Sequence, residues 1–259
     1  MHVVAIYDTA PSDGSLAPAL AKAMGLHAMD VRHRVMSPGP CIVAVHNDAD
    51  AASELCMRLN AADFPAFVRD VPAVQGSPVW VPVRSFTMDS SGIDWRPPGR
   101  GDAFRMAWED IHLVVRGTRV AVTETSETIE RKSFSMARAV ATGGLVRKKK
   151  VKVEQSRTEQ QREGFIHVYS AAGKIAVIGE QSFDYKGLGG LLEHSRAANF
   201  IALLKLIRQR AASATLDDRL LTHAGQTTLL SGRLDTQEHI KLASALIAGA
   251  LHLKQRAPR

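Results

Sequence analysis

Phe86-Thr87-Met88-Asp89-Ser90-Ser91-Gly92-Ile93-Asp94-Trp95 holds two short β-type runs on either side of a turn rich in serine and glycine. The alternation of run and turn continues outward. Phe104 to Trp108, Ile111 to Val115 and Val120 to Thr123 follow as further runs, divided by Pro97-Pro98-Gly99-Arg100-Gly101 and by Gly117. Later, Gly164 to Tyr169 and Lys174 to Ile178 flank Ala171-Ala172-Gly173 as a hairpin. Ser195 then opens a helix that carries Phe200, Leu203, Leu204 and Ile207 on one face. Residues 79–210 therefore read as an antiparallel β domain closed by one amphipathic helix, with 129–162 as a basic insertion or elongated hairpin.

Upstream the period changes. Val3 to Tyr7 reads as a strand, and Leu16, Leu20 and Met24 share a helical face that stops at Gly25. A shorter helical pattern passes through Val31 and Val35 to the breaker Ser37-Pro38-Gly39-Pro40. Cys41 to His46 suits a buried strand. Asn47-Asp48 can cap a helix with Ala52, Leu55, Cys56, Leu59 and Ala62 on one face, and Phe64 to Asp70 closes as a strand. The order β-α-α-β-α-β predicts a small α/β interaction domain over 1–71, its helices packed on one side of the sheet.

Residues 72–78 read as an extended linker between two independently folding units. Residues 211–259 read as a helical tail. There Asp235 and Glu238 have capping-box spacing, and Ile240, Ala243, Ile247, Ala250 and Leu251 share a face. The fold class expected for the whole chain is α+β.

Two resemblances sharpen these expectations. Gly25-Leu26 before the second helix and Asp48-Ala49-Asp50-Ala51-Ala52 at the start of the third make residues 3–70 resemble the carboxyl-terminal domain of the bacterial ribosomal stalk protein. That resemblance implies a protein-docking role, for which Lys22, Arg32, Arg34 and Arg58 are the basic residues on offer. The runs at Phe86 to Ile93 and at Phe104-Arg105-Met106-Ala107-Trp108-Glu109-Asp110-Ile111 resemble bacterial pleckstrin-homology-like domains across about Val79 to Arg210. The implied barrel hosts lipid headgroups, peptides or no ligand, so the fold leaves function open.

Charge supplies the strongest functional signal. Arg131, Lys132, Arg138, Arg147, Lys148, Lys149, Lys150 and Lys152 fall in one stretch that contains no Asp or Glu. Because the formal net charge is +7, the rest of the chain is close to neutral. The basic pI is a local property, and the eight residues are the candidate anion-binding site. One reading is an edge strand kept soluble by lysines that face Glu124, Glu127 and Glu130. A second is adsorption to anionic lipid, with Phe134, Met136, Val140 and Leu145 as a candidate apolar tip beside the cations. A third is nucleic acid, against which the shortage of stacking aromatics counts. An acidic protein surface fits the same charges.

Other chemistry has no such signal. The chain lacks G-x-S-x-G, G-x-x-x-x-G-K-S/T, H-E-x-x-H and C-x-x-C patterns, and its ten histidines are scattered, so no catalytic, cofactor or metal residue is nominated. Gly187-Leu188-Gly189-Gly190 reads as a turn into the following helix. Cys41 and Cys56 are too few for a disulfide framework. The first residues read as a strand rather than a secretory signal, and no apolar run reaches spanning length. The expectation is a non-enzymatic interaction protein, cytoplasmic or peripheral at the inner membrane face, that uses no cofactor and has a protein partner. The alternatives are a nucleic-acid-binding protein and a small enzyme with a dispersed site.

Overall fold

The structure, a computed structural model, describes residues 1–7, 15–35, 39–133, 149–221, 230 and 234–256. They form two compact units, one made of residues 1–119 and 163–259, the other of 120–162.

The first unit begins as the hydropathy pattern predicts: β1 (His2–Ile6), α1 (Leu16–Met24), α2 (Ala28–Arg32), β2 (Cys41–His46), α3 (Ala49–Ala61) and β3 (Ala66–Asp70). The strands pair antiparallel in the order β2-β1-β3, with Val3 opposite both Val45 and Arg69. Asp48 caps α3 by accepting from the Asp50 and Ala51 amides. Alternation along the strands gives the sheet two apolar faces. Val4, Ile6, Cys41 and Val43 pack on Leu20, Met24, Val31, Leu55 and Leu59 of the three helices. Val3, Ala5, Ile42 and Phe67 face the other way.

Residues 72–78, expected as an extended linker, begin inside α4 (Val71–Gln75). Pro72 sits in the first turn of that helix, where its missing N–H costs no hydrogen bond. β4 (Trp80–Pro82) follows. Then β5 (Ser85–Met88), β6 (Gly92–Arg96) and β7 (Phe104–Ala107) form an antiparallel sheet in that order. Glu109 and Asp110 lie in a single 3₁₀ turn between β7 and the next strand.

The remaining elements are β8 (Ile111–Ser133), β9 (Lys149–Ser170), β10 (Ile175–Gly179), α5 (Arg196–Arg210), β11 (Thr215–Leu220) and α6 (Thr236–Arg256). A mixed five-stranded sheet runs β11-β8-β9-β10-β4, with β4 parallel to β10 and β11 parallel to β8. Two expectations are corrected here. Gly117 does not divide two strands; β8 runs through it, because the Phe165 ring and the Leu220 side chain fill the space a β-carbon would take. The segment after Ala211 is not helical throughout, since polar Thr215–Leu220 is recruited as an edge strand by backbone pairing with β8.

Helix α6 lies between the amino-terminal sheet and the five-stranded sheet. Leu242, Leu246 and Ala250 cover the second face of the amino-terminal sheet, while Ile247 packs with Leu113, Val115, Phe165 and Ile175 of the five-stranded sheet. The far face of that sheet shares a core with the β5-β6-β7 sheet and α5, built from Phe86, Ile93, Trp95, Met106, Ile166, Val168, Phe183, Leu203 and Ile207. The fold is a mixed α+β arrangement: a small sheet with helices, a central mixed sheet and a long last helix.

Candidate anion-binding site

Arg131 and Lys132 lie at the end of β8, and Lys149, Lys150 and Lys152 at the start of β9. The two strands are neighbours in the sheet. Arg138, Arg147 and Lys148, and the apolar candidates Phe134, Met136, Val140 and Leu145, lie outside the described residues.

Contacts at the root of these strands fix their direction. Gly117 lies against Phe165, and Arg119 donates from Nε and Nη2 to Glu163 Oε2 at 3.0 and 2.9 Å, so β8 and β9 run antiparallel. Their basic ends therefore belong to the same end of the pair. Glu163 is buried, 4% exposed, and its second oxygen accepts from the Gln181 amide at 3.0 Å. Two guanidinium donors on one oxygen and a backbone donor on the other are what a buried carboxylate needs to remain charged. Glu180 closes the same corner by accepting from the Gly164 amide at 2.9 Å.

A second basic surface lines a cleft of about 500 Å³ between β5, the segment after β10 and the start of α5. Arg84, Lys186, His194 and Arg196 border it together with Asp184. Arg196 donates to the carbonyls of Gln181 and Phe183, and Ser195 caps α5 by accepting from the Ala198 amide. Sequence reasoning reached the cap and passed over the cluster, whose members come from three separated segments.

A further buried polar group lies elsewhere. Under α6, Ser244 Oγ is 2.7 Å from Tyr169 OH and 3.0 Å from His167 Nδ1, with Trp80 stacked edge-on against both rings. A serine beside a histidine suggests a nucleophile and base, but the surroundings oppose it. Burial, helped by the charges of Arg119 and Lys241, pulls His167 down to about 3, and burial also pushes the Tyr169 hydroxyl above its ordinary value. Ser244 is fully buried, so no substrate reaches its hydroxyl. The cluster satisfies polar atoms inside an apolar layer. Of two further histidines, His112 is exposed and stacks edge-on with Tyr169, and His194 borders the basic cleft.

Among the described residues, no group of His, Cys, Asp and Glu is arranged to hold a metal ion, and no helix is long and apolar enough to cross a membrane. Comparison with family models, with curated proteins and with solved structures finds no match.

Proposed function

We propose that this chain is a non-enzymatic interaction protein that engages an anionic surface through the basic ends of β8 and β9. The observation that carries the reading is the antiparallel pairing of those strands. It assigns Arg131 and Lys132 to the same end as Lys149, Lys150 and Lys152, with no acidic residue in the sequence between. A local cluster in a chain that is otherwise near neutral produces a directional field, and each cation close to anionic lipid contributes ~1 kcal/mol.

The architecture supports the same class. Three antiparallel strands, then β8, β9 and β10, then α5 over a shared core follow the succession of pleckstrin-homology-like domains, which this reading takes as the nature of residues 79–210. The three-stranded amino-terminal sheet with its helices fits a stalk-protein-like docking module. Lipid is the preferred partner because the same stretch of sequence contains the apolar residues Phe134, Met136, Val140 and Leu145, which a lipid surface would accept beside the cations. The chain then works on the cytoplasmic face of the inner membrane.

Sedimentation with vesicles at low and moderate salt tests the reading. The protein should pellet with phosphatidylserine-containing vesicles, lose binding as salt rises, and ignore purely phosphatidylcholine vesicles. Salt-sensitive binding to duplex DNA without vesicle binding would replace lipid by nucleic acid. Binding to neither at low ionic strength would end both readings of the basic stretch. Turnover in an activity screen that disappears on changing His112, His167 or His194 to Ala would overturn the non-enzymatic part.

A further inference from the structure

Arg69 is the least expected side chain in the first unit. On β3 it alternates to the same face as Phe67, the face covered by α6, and its guanidinium carbon stands 5.2 Å from the centroid of the Phe67 ring. Gly249 of α6 makes this placement feasible: a β-carbon there would overlap Arg69 Nη2. Glycine inside a helix of 21 residues costs about 1 kcal/mol relative to alanine. The helix gives up that propensity to admit a cation.

No described carboxylate lies within ion-pair distance of Arg69, although the side chain is half-buried and desolvation lowers its pKa. Asp70 alternates away, and its Oδ1 is 3.7 Å from His2 Nδ1. A partly desolvated guanidinium with only a ring face for company is an incomplete arrangement. Its open side is a groove.

That groove, about 470 Å³, runs between β3, α4, the start of β4 and α6. Its walls include Val74, Val79, Trp80, Ile175, Ala245 and Ala248, and Asp70, Ser77 and His252 add the polar margin. Trp80 is pinned by donation from Nε1 to the Val74 carbonyl at 3.0 Å, so one wall is preset. The volume falls in the range of small-molecule sites, which are mainly apolar with a few polar groups; Arg69 supplies the cation here, while Asp70 borders the groove from the opposite face of β3, beside His2.

We propose that this groove binds a small organic monocarboxylate with an apolar body, its carboxylate forked by Arg69 and its body laid along Trp80 and the alanines of α6. The guanidinium presents parallel N–H donors that match a carboxylate. One cation suits a monoanion better than a phosphate dianion. The mainly apolar walls favour an apolar body. The site is separate from the basic ends of β8 and β9 and stands or falls independently of them.

Isothermal titration calorimetry on the full chain tests the assignment with sodium octanoate, octan-1-ol and octylammonium as probes. Octanoate should bind with 1:1 stoichiometry, octanol at least tenfold more weakly, and octylammonium not at all. Arg69→Gln should cost octanoate at least tenfold and leave octanol unchanged, while Ala248→Leu should weaken both by filling the groove. Equal affinity for octanoate and octanol, unchanged octanoate binding in Arg69→Gln, or no 1:1 binding up to millimolar probe overturns the proposal. If Arg69→Gln does not fold, Ala248→Leu decides: octanoate affinity retained there overturns it.

Discussion

His167 shows how far a single side chain can be moved by its surroundings. In the unfolded chain it titrates near 6.5, whereas in the folded protein burial holds it neutral down to about 3. Between those values the unfolded state binds the extra proton, so stability is complete above pH 6.5 and falls as pH drops toward 3. One proton sets a limiting slope of about 1.4 kcal/mol per pH unit. His167→Gln preserves a partner for Ser244 and removes the titration. Denaturant unfolding at pH 7 and pH 5 should therefore show wild type losing more stability than the variant, and equal losses would mean that His167 is not held neutral. The sequence did not show this environment, because the partner Ser244 is 77 positions away. Arg69 and Gly249 are 180 apart, and the one legible hint was a glycine in the middle of an amphipathic helix.

At the level of elements, local chemistry was legible and distant pairing was not. The capping box is reciprocal, with Glu238 N donating to Asp235 Oδ1 at 2.8 Å and Asp235 N donating to Glu238 Oε2 at 3.0 Å. Asp235→Ala should cost about 1 kcal/mol, read as a fall in melting temperature of roughly 2–4 °C for a protein of this size. An unchanged melting temperature would mean that the start of α6 contributes nothing to stability. The six elements of the amino-terminal sheet followed from apolar period, caps and breakers, all of which act within a turn or two of chain. β4 and β11 did not, because each joins its sheet by parallel pairing to a strand remote in sequence, and Thr215-Leu216-Asp217-Asp218-Arg219-Leu220 has no apolar alternation of its own. The root of the β8–β9 pair depends on Glu163 in the same long-range way. Glu163→Gln leaves Arg119 half-partnered, and an unfolding cost of about 3 kcal/mol is expected; a cost below 1 kcal/mol would show that Arg119 finds water instead.

For the molecule as a whole, α6 is the element that two sheets share. Its two faces bury Val3, Ala5 and Phe67 on one side and Leu113, Phe165 and Ile175 on the other. A chain ending at residue 234 should therefore aggregate or bind a hydrophobic dye strongly, and a soluble, cooperatively folding product would contradict that role. The sequence-based division near Gly76 rested on the prolines and glycine of that segment and on the separate apolar periodic runs to either side, cues that carry no information about a helix arriving from the other end of the chain. The functional claim is also global, because it says that location, not total charge, determines anion binding. The direct test compares two triple reversals of identical net charge, Lys148→Glu, Lys149→Glu and Lys150→Glu in one protein, and Lys205→Glu, Arg208→Glu and Arg210→Glu on exposed positions of α5 in another. With ~1 kcal/mol per cation, the first should weaken binding to phosphatidylserine vesicles by at least about 100-fold at low salt, and the second by no more than a few fold. Equal losses in the two proteins would contradict a localised site.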